Sequence, residues 1–456
     1  MRYVSIIALL TLSACAVGPS YQQPQMALSA RFPEGDAQSI GKVAAETWWR
    51  DYGDAYLNEL VSRGLAQSLD VMAATEAIRQ AEAQLRATGV NAAASGSLSG
   101  SRTREGGELV EGIQTVDDAA LGAGFVIDLF GGIRREREGA LASVTAARAD
   151  EETARLAWLA ELISAYANAR YYQELLALTR DTIATREETV EITRQQYDAG
   201  ATTEFEVAQA EALLSTARAA LPQYAALFDA NVYAIATLLN EEAGPIRDRM
   251  QRGSPQLRTP GTARTGVPAD LLRNRPDVRS AEADLAAAVA EVGVAEAALY
   301  PSLTLTGTVA RSDGVDAWSF GPALSLPVFN QGALRASRDA QISVARQAEI
   351  AWRSQVRGAV EDVEVAGSNL SRYRQRAAAL RTAADQYEQA LDLARNNYRV
   401  GAITLLDLLD TDRSTATARL SAASAVNDAA QAWASLKIAT GAGAAAVAPA
   451  PQVASN

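Results

Sequence analysis

The residues that most often carry enzyme chemistry are scarce in this sequence. Its 456 residues include no histidine and a single cysteine, Cys15. Without histidine the chain lacks the usual general base and the commonest transition-metal ligand. With one cysteine it can form neither an internal disulfide nor a thiolate metal cluster. We therefore expect no metal, no cofactor and no enzymatic activity, and a carboxylate-based enzyme is the most remote alternative.

Cys15 is placed for covalent attachment of lipid. A basic residue, Arg2, precedes an apolar stretch too short to cross a bilayer, and the stretch ends in Leu-Ser-Ala followed by Cys15. This motif is typical of bacterial lipoprotein signals, so we predict acylation of Cys15 after removal of residues 1–14. Ala16, and not an aspartate, follows the cysteine, which favours the outer membrane. A plain secretory signal that contains a cysteine is the alternative.

The composition favours helices and argues against one class of partner. The formal net charge is −12, and phosphate binding needs clustered Lys and Arg, so we expect no nucleic acid partner. Aromatic residues make up 6% of the chain and alanine is abundant, a composition that favours long, closely packed helices. The proline-free stretch Ile133–Ala199, with apolar residues at spacings of three and four, predicts one helix of roughly 100 Å. This stretch alone favours a soluble coiled coil.

The chain is predicted to be an internal duplication. The two halves read alike in two places: Asp128–Gly132 resembles Leu326–Gly332, and Gln195–Gly200 resembles Asn396–Gly401. Each half is expected to contain a helix, two strands and very long helices. The predicted segments are a signal peptide (1–14), a lipid-anchored extended segment (15–70), the first repeat (71–240), a linker (241–277), the second repeat (278–441) and a disordered tail (442–456).

Four segments alternate between large apolar and small or polar residues, as strands with two different faces do. The stretch 302–310 does so most clearly, with Leu303, Leu305 and Val309 on one face and threonines on the other. The others are 95–103, 120–129 and 320–328. Each has a length that crosses a membrane as a tilted strand, with one face toward lipid and the other toward water.

Four strands cannot close a membrane barrel, because an open edge leaves backbone groups unpaired in lipid. The smallest membrane barrels have about eight strands. Three copies of this chain supply twelve, so the sequence predicts a trimer with a water-filled lumen. The alternative is a small sheet packed on the helices of a soluble protein.

Three stretches resemble the TolC-type outer-membrane efflux proteins, and in particular their lipidated OprM-like branch. They are the start of the mature chain from Cys15 to Tyr21, the segment 271–303 with Arg-Asn-Arg-Pro-Asp ending at Asp277, and the segment from Tyr398 to Asp410. The resemblance covers the whole mature chain.

This resemblance implies an α+β membrane protein with internal duplication. Its expected form is a homotrimer with a twelve-stranded β-barrel (four strands per chain) in the outer membrane, continuous with a long α-helical barrel in the periplasm. A periplasmic adaptor protein and an inner-membrane pump of the RND type are the implied partners, and the duct itself is passive. The expected function is export of small toxic compounds from a Gram-negative bacterium. Alternatives are the duct of a type I protein secretion system and a periplasmic coiled-coil scaffold without a pore.

The resemblance also implies a gate at the periplasmic mouth. Asp407 and Asp410 are three residues apart in a helical segment and can face one side, so three copies form rings of carboxylates that attract cations. In the first repeat Glu206 corresponds to Asp407 and Gln209 to Asp410, so Glu206 is a weaker candidate. All of these residues could instead be solvated helix-surface residues.

Relatives brace this gate with a tyrosine and, in some members, an arginine. Tyr398 matches the tyrosine, but Ile403 stands where the arginine is expected. Arg399 and Arg413 are close in sequence, and the sequence does not show that either replaces it.

The two glycines that follow the long helices are expected to form turns. A glycine there ends a helix in a left-handed conformation, and the resemblance implies that both turns contact the adaptor. The predicted docking residues are Gly200, Ala201, Gly401 and Ala402.

Overall fold

A computed structural model of the protein describes residues 16–35, 38–107, 110–261 and 264–445. Cys15 and residues 446–456 lie outside these ranges. The chain divides into two compact units. Among the described residues, the first unit comprises 16–27, 74–151 and 277–356, and the second comprises 28–73, 152–276 and 357–445. Each unit therefore takes segments from both halves of the duplicated sequence.

Long helices dominate the described residues. The helices are α1 (Ala55–Gln67), α2 (Leu69–Ala87), α3 (Val90–Ala93), α4 (Gly132–Asp198), α5 (Glu204–Leu239), α6 (Ala243–Gln251), α7 (Pro268–Asn274), α8 (Pro276–Ala297), α9 (Gln331–Arg399) and α10 (Leu405–Ala439), with a 3-10 helix at Trp48–Tyr52. The prediction of one long helix over 133–199 is confirmed, because α4 has 67 residues. Its counterpart α9 has 69. None of the described helices combines the length and the apolar character needed to cross a bilayer.

Two segments that were predicted as extended chain or linker contain helices. α1 lies within 15–70, and its N-cap Asp54 accepts hydrogen bonds from the backbone N–H groups of Tyr56 (2.9 Å) and Leu57 (3.0 Å). α6 and α7 lie within 241–277. These helices are short, so their periodicity is weak against a background rich in glycine, proline and arginine.

The predicted disordered tail begins too early. Ala442 and Ala444 are buried, and the Trp48 indole N–H donates to the Ala442 carbonyl oxygen at 3.0 Å. Gly443 donates its N–H to the Val43 carbonyl oxygen at 3.3 Å. The small side chains that suggest low complexity here permit a close approach to an aromatic core. Residues 446–456 lie outside the described residues.

The described strands form one antiparallel sheet in the first unit. They are β1 (Ala94–Gly107), β2 (Val110–Ile127), β3 (Ser302–Ser312) and β4 (Val315–Ser325), paired in the order β1-β2-β3-β4. All four predicted strands are present, but β4 covers 315–325 and not 320–328. Pro327 has no N–H to donate to a neighbouring strand, and β4 ends two residues before it. The alternating sequence pattern continues past this end, so the predicted strand extended too far.

The register of the sheet separates its two faces. Leu121 pairs with Val309, which pairs with Trp318, so these large side chains form one row. The adjacent row, on the other face, is Gly122, Thr308 and Ser319. Both faces are uncovered by the described residues, and Trp318 is 80% exposed. Antiparallel sheets of soluble proteins bury one face, so the exposed apolar face of this sheet requires a cover from outside the described residues.

The Arg-Asn-Arg-Pro-Asp segment has a packing role in the second unit. Asn274 donates its side-chain N–H to the Gly41 carbonyl oxygen at 2.7 Å. Arg275 donates to the Ala439 carbonyl oxygen at 3.2 Å and pairs with Asp362 at 3.0 Å. A Cβ atom at Gly441 would lie 2.2 Å from the Asn274 carbonyl oxygen, so only glycine fits there. This segment ties α7 to α9 and to the end of α10.

Candidate functional site

Two helical hairpins in the second unit carry the predicted gate and docking residues. In the first hairpin (the C-terminal half of α4 with α5), Arg194 pairs with Glu211 at 2.5 Å and Arg218 pairs with Glu187 at 2.7 Å. In the second hairpin (the C-terminal half of α9 with α10), Arg419 pairs with Glu388 at 2.5 Å. Both hairpins are therefore antiparallel pairs held at their surfaces by ion pairs.

The two turns have the same backbone. Gly200 and Gly401 have φ angles of +73° and +74°, a left-handed conformation that favours glycine. The following N–H groups close the turns in the same way: Ala201 donates to the Gln196 carbonyl oxygen, and Ala402 to that of Asn397, each at 2.8 Å. The predicted turns are therefore present. Their role as docking residues remains a prediction.

Each turn continues into a capped helix. The Thr203 hydroxyl accepts the Glu206 N–H, and Glu206 accepts the Thr203 N–H at 3.0 Å. Thr404 and Asp407 form the same capping box at the start of α10, where Asp407 accepts the Thr404 N–H at 3.1 Å. Hydrogen bonds from the Thr404 hydroxyl and N–H lower the pKa of Asp407, and hydrogen bonds from the Thr202 hydroxyl and the Thr203 N–H lower that of Glu206. Both carboxylates therefore have a local structural role.

Asp407 and Asp410 are both exposed on α10, as their spacing predicts. One oxygen of Asp407 is engaged by the cap, while Asp410 has no salt-bridge partner among the described residues. The gate assigned to these two residues remains a prediction. Glu206, its weaker counterpart, is turned back onto Thr202 and Thr203.

The second hairpin packs against the first through an apolar cluster. Its buried members are Leu391, Tyr398, Leu405, Leu408 and Leu409, and Ile192 and Leu213 of the first hairpin pack against them. The Tyr398 hydroxyl donates to the side-chain oxygen of Gln196 at 2.8 Å and lies 3.2 Å from the Thr193 hydroxyl. Burial raises the pKa of Tyr398. Tyr398 thus fixes the second hairpin to α4 and makes no described contact with Asp407 or Asp410.

A buried ion pair joins the hairpins close to the predicted gate. Arg186 of α4 lies 2.7 Å from Asp412 of α10, and the two side chains are 8% and 7% exposed. Arg186 also donates to the Leu213 carbonyl oxygen of α5 at 3.0 Å, so one guanidinium links three helices. The sequence analysis missed this pair. The available signal was that Asp412 follows Leu405 by seven residues and Leu408 by four, which places a carboxylate on an apolar helix face.

A second set of ion pairs lies near Ile403, the position where the resemblance leads us to expect a gate arginine. Arg395 and Arg399 of α9 both pair with Glu188 of α4. Arg399 therefore joins the two hairpins, whereas Arg413 has no salt-bridge partner in the part of the chain that the structure describes. The charged contacts between the hairpins come from positions other than 403.

Residues 16–18 are held beside the sheet. Val17 donates its N–H to the Phe130 carbonyl oxygen at 3.0 Å. The buried Arg135 donates to the carbonyl oxygens of Val17 and Gly18, each at 3.2 Å. A Cβ atom at Gly131 would lie 2.5 Å from that of Ala16, so the chain at Ala16 packs directly on this glycine. The residue that follows Cys15 is thus fixed four residues beyond the end of β2.

A chain that combines long helical hairpins with a four-stranded sheet exposed on its apolar face is of the outer-membrane channel class. It belongs to the outer membrane efflux protein family, whose model matches residues 60–241 and again residues 267–442. One match in each half is what the duplication predicts. The resemblance to the TolC-type family is confirmed.

Named relatives and solved structures agree with this assignment. Nodulation protein T of Rhizobium leguminosarum bv. trifolii is 38% identical over 97% of both chains. The pyoverdine export outer membrane protein OpmQ of Pseudomonas aeruginosa is 30% identical over 91% of both chains. The outer-membrane channel OprN superposes with a TM-score of 0.84 at 28% identity, over 94% of this chain and 100% of that one. The Neisseria gonorrhoeae MtrE channel gives 0.84 at 27%, over 94% and 98%.

Proposed function

We propose that three copies of this chain form a passive exit duct that carries small compounds across the outer membrane. The observation that carries the proposal is the sheet: its apolar face is exposed, and the outer edges of β1 and β4 are unpaired within the described chain. Unpaired backbone groups are very unfavourable in lipid. Pairing of β4 with β1 of the next copy satisfies both edges, and three sheets of four strands give a closed barrel of twelve.

The lipid anchor fits this arrangement. Ala16 packs on Gly131, close to the end of β2, so acyl chains on Cys15 would start near the sheet whose apolar face needs a lipid cover. Buried acyl CH₂ groups contribute roughly 0.8 kcal/mol each, which makes a multiply acylated cysteine a firm anchor.

The partners are proposed from the relatives. Several relatives have names that describe outer membrane proteins of efflux pumps, including an antibiotic efflux pump of Pseudomonas putida at 29% identity. We infer a periplasmic adaptor that contacts the turns at Gly200 and Gly401, and an RND-type pump in the inner membrane that supplies the energy. The duct has no catalytic role. The names of the pump relatives refer to small compounds, which favours small-molecule export over protein secretion.

Asp407 and Asp410 are proposed as the gate. Exposed carboxylates at two successive levels of α10, repeated on three copies, give a narrow acidic opening that favours cations. Because the second hairpin is fixed to the first by Tyr398 and by the Arg186–Asp412 pair, the carboxylates do not have to hold the opening closed themselves.

Native mass measurement and single-channel recording test this proposal together. The detergent-purified protein should be a trimer, and a stable monomer would contradict the barrel. In a planar bilayer the wild type should show a small, cation-preferring conductance. Asp407→Asn with Asp410→Asn should raise the conductance and reduce the cation preference, and asparagine retains an oxygen for the α10 cap.

The matched control is Asp392→Asn, an exposed aspartate on α9. It should leave both conductance and selectivity unchanged. Assembled trimers without any channel activity would contradict the duct. Equal conductance from the wild type and the double variant would retain the duct and exclude these two residues as its gate.

A further inference from the structure

The short helix α6 packs on the first hairpin and leaves a cavity beside it. Ile246 and Met250 are the buried residues of α6. The Met250 carbonyl oxygen accepts a hydrogen bond from the side-chain amide of Gln173 in α4 and another from Arg170, at 3.4 Å. The cavity next to these contacts has a volume of about 510 Å³ and is lined by residues of α4, α5 and α6 and by Gly253. That volume is enough for a small organic molecule.

One wall of the cavity is apolar. It is formed by Leu176 and Ala177 of α4 and by Ala225 and Phe228 of α5. Phe228 is 5% exposed, so its neighbours hold the ring in place. A fixed aromatic ring beside two small alanine side chains leaves space for a flat or branched apolar group. Such a group gains free energy when it leaves water for this wall.

The rest of the lining carries an excess of positive charge. Arg247 of α6 donates to Asp229 of α5 through Nε (2.7 Å) and Nη2 (3.0 Å), which occupies both carboxylate oxygens. The Nη1 group of Arg247 has no hydrogen-bond partner among the residues that the structure describes. Arg180 of α4 also lines the cavity, and it has no ion-pair partner in the described part of the chain. Two guanidinium groups with one carboxylate favour an anion over a cation.

The two halves of the chain can be compared position by position along the hairpins. Tyr197 corresponds to Tyr398, so equivalent residues are 201 positions apart (398 − 197). Asn240 and Gly441, which follow α5 and α10, are also 201 positions apart (441 − 240). Both have a left-handed backbone, with φ angles of +53° and +81°. The equivalence therefore extends along the whole of α5.

The cavity belongs to the first half only. The equivalents of Phe228 and Asp229 are Ala429 and Ala430, which supply neither a ring nor a carboxylate. Within the described residues, which end at 445, no helix equivalent to α6 follows α10. The ring, the ion pair and α6 are therefore additions that the repeated hairpin does not need for its own packing. Their common effect is to enclose this cavity.

We infer that this cavity, the α6 site, binds a small organic anion: a carboxylate carried on an aromatic or branched apolar body. The apolar body lies on Phe228, and the carboxylate accepts hydrogen bonds from Arg180 and from Nη1 of Arg247. The site is complete within one chain, so it does not depend on the proposed trimer or duct. It gives this chain a binding function in addition to passive conduction.

Photolabelling of the intact, detergent-purified protein tests the α6 site. The probe is 4-benzoylbenzoate, an aromatic carboxylate that attaches to nearby C–H groups under near-ultraviolet light, and mass spectrometry identifies the labelled peptides. Labelling should be saturable and should fall on α5 near Phe228 and on α6. The neutral 4-benzoylbenzamide has the same shape and should need about tenfold higher concentrations for half-maximal labelling. Equal labelling by the acid and the amide would overturn the anion site.

Variants at equivalent positions supply matched controls. Arg180→Gln removes one guanidinium and should weaken binding of the acid about tenfold, whereas Arg381→Gln, at the equivalent position of the second hairpin, should not. Ala177→Phe fills the cavity from an exposed position of α4 and should abolish labelling, and Ala378→Phe makes the same change at the equivalent exposed alanine without effect. Unchanged labelling in both Arg180→Gln and Ala177→Phe would show that the probe binds elsewhere, and the inference would be wrong.

Asp229→Asn provides a readout that damage to the fold cannot imitate. The variant removes the negative charge that Arg247 neutralises, while asparagine retains one oxygen for the Arg247 N–H groups. The cavity becomes more positive, so 4-benzoylbenzoate should bind severalfold more tightly and the amide should bind as before. Weaker binding of the acid to this variant would contradict the assignment of Arg247 as a partner of the carboxylate.

Discussion

The two hairpin ends share one backbone design and differ in what covers them. Both have a left-handed glycine and a threonine-carboxylate capping box. In the second hairpin, Leu405 and Tyr398 are buried against the first hairpin. In the first, the equivalent residues Glu204 and Tyr197 are exposed. Duplication thus preserved the turn, which depends on local conformation, while the covering contacts diverged because the two ends have different neighbours.

The largest expected difference in stability is between the buried ion pair that joins the hairpins and an exposed ion pair within the first hairpin. Arg186→Ala leaves the Asp412 carboxylate buried without a partner, and breaking such a pair costs about 3–5 kcal/mol of unfolding free energy. Guanidinium unfolding followed by the helical circular dichroism signal should show this loss. Arg194→Ala removes the partner of Glu211 in an exposed pair and should change the midpoint little.

Replacing both members of the buried pair separates charge from packing. Arg186→Met with Asp412→Leu should recover most of the lost stability, since well-packed apolar residues can replace a buried ion pair. Similar midpoint shifts for Arg186→Ala and Arg194→Ala would show that burial does not distinguish the two pairs.

The two equivalent tyrosines should respond differently to loss of the hydroxyl. Tyr398→Phe removes the hydrogen bond to the half-buried Gln196 side-chain oxygen, which costs about 1 kcal/mol, while Thr193 keeps its bond to the Thr189 carbonyl oxygen. Tyr197 is 45% exposed, so its hydroxyl can be replaced by water on loss and Tyr197→Phe should cost little. The midpoint of guanidinium unfolding should therefore fall for Tyr398→Phe and change little for Tyr197→Phe.

The reverse pattern, with unfolding sensitive to Tyr197 and insensitive to Tyr398, would contradict the assignment of buried and exposed ends. Tyr233→Phe, at an exposed tyrosine of α5, controls for the general effect of removing a phenol.

The capping boxes should give the smallest effects, and these should be equal at both ends. Thr203→Ala and Thr404→Ala should each cost about 1 kcal/mol, because a helix N–H loses its acceptor. Thr216→Ala is the control, since Thr216 is an exposed mid-helix threonine that bonds only to the preceding turn of α5. An effect at one end only would break the equivalence of the two turns.

The caps also predict a dependence on pH. The pKa values of Glu206 and Asp407 are lower in the folded chain than their ordinary values, so ionisation is favoured by folding. Their stabilising contribution is complete above the ordinary carboxyl range and is lost as the pH falls through the lowered values. Hydrogen exchange should show that the first turns of α5 and α10 lose protection in acid before the middle of each helix does. Unchanged protection in those turns relative to the helix centres would contradict this.

The sequence predicted a large part of the fold because its strongest signals are periodic. A proline-free stretch with apolar residues at spacings of three and four predicted α4 to within one residue at each end. Alternation between apolar and small or polar residues predicted all four strands. Boundaries were less accurate where the alternation continued past Pro327. The short helices α1, α6 and α7 were missed, because their stability comes from packing more than from their own periodicity.

The candidate site was predicted in part. The turns at Gly200 and Gly401 were located correctly, since a glycine after a long helix is a local signal. The buried pair of Arg186 and Asp412 was missed, because nothing local distinguishes it from the many exposed arginines and aspartates of these helices. The resemblance indicated that Ile403 stands where an arginine is expected, so that an ion pair is lost there. In the structure, Arg395 and Arg399 make charged contacts to Glu188.

By itself, the sequence determined the features that depend on residues a few positions apart: the helices, the strand faces, the glycine turns and the threonine caps. The tertiary structure decided which of two equivalent residues is buried. Tyr398 is covered and Tyr197 is not, and Asp412 is paired inside whereas Glu211 is paired at the surface. The reason is physical: backbone conformation follows from local sterics and hydrogen bonds, but burial depends on side chains about 200 positions away that only the folded chain brings together.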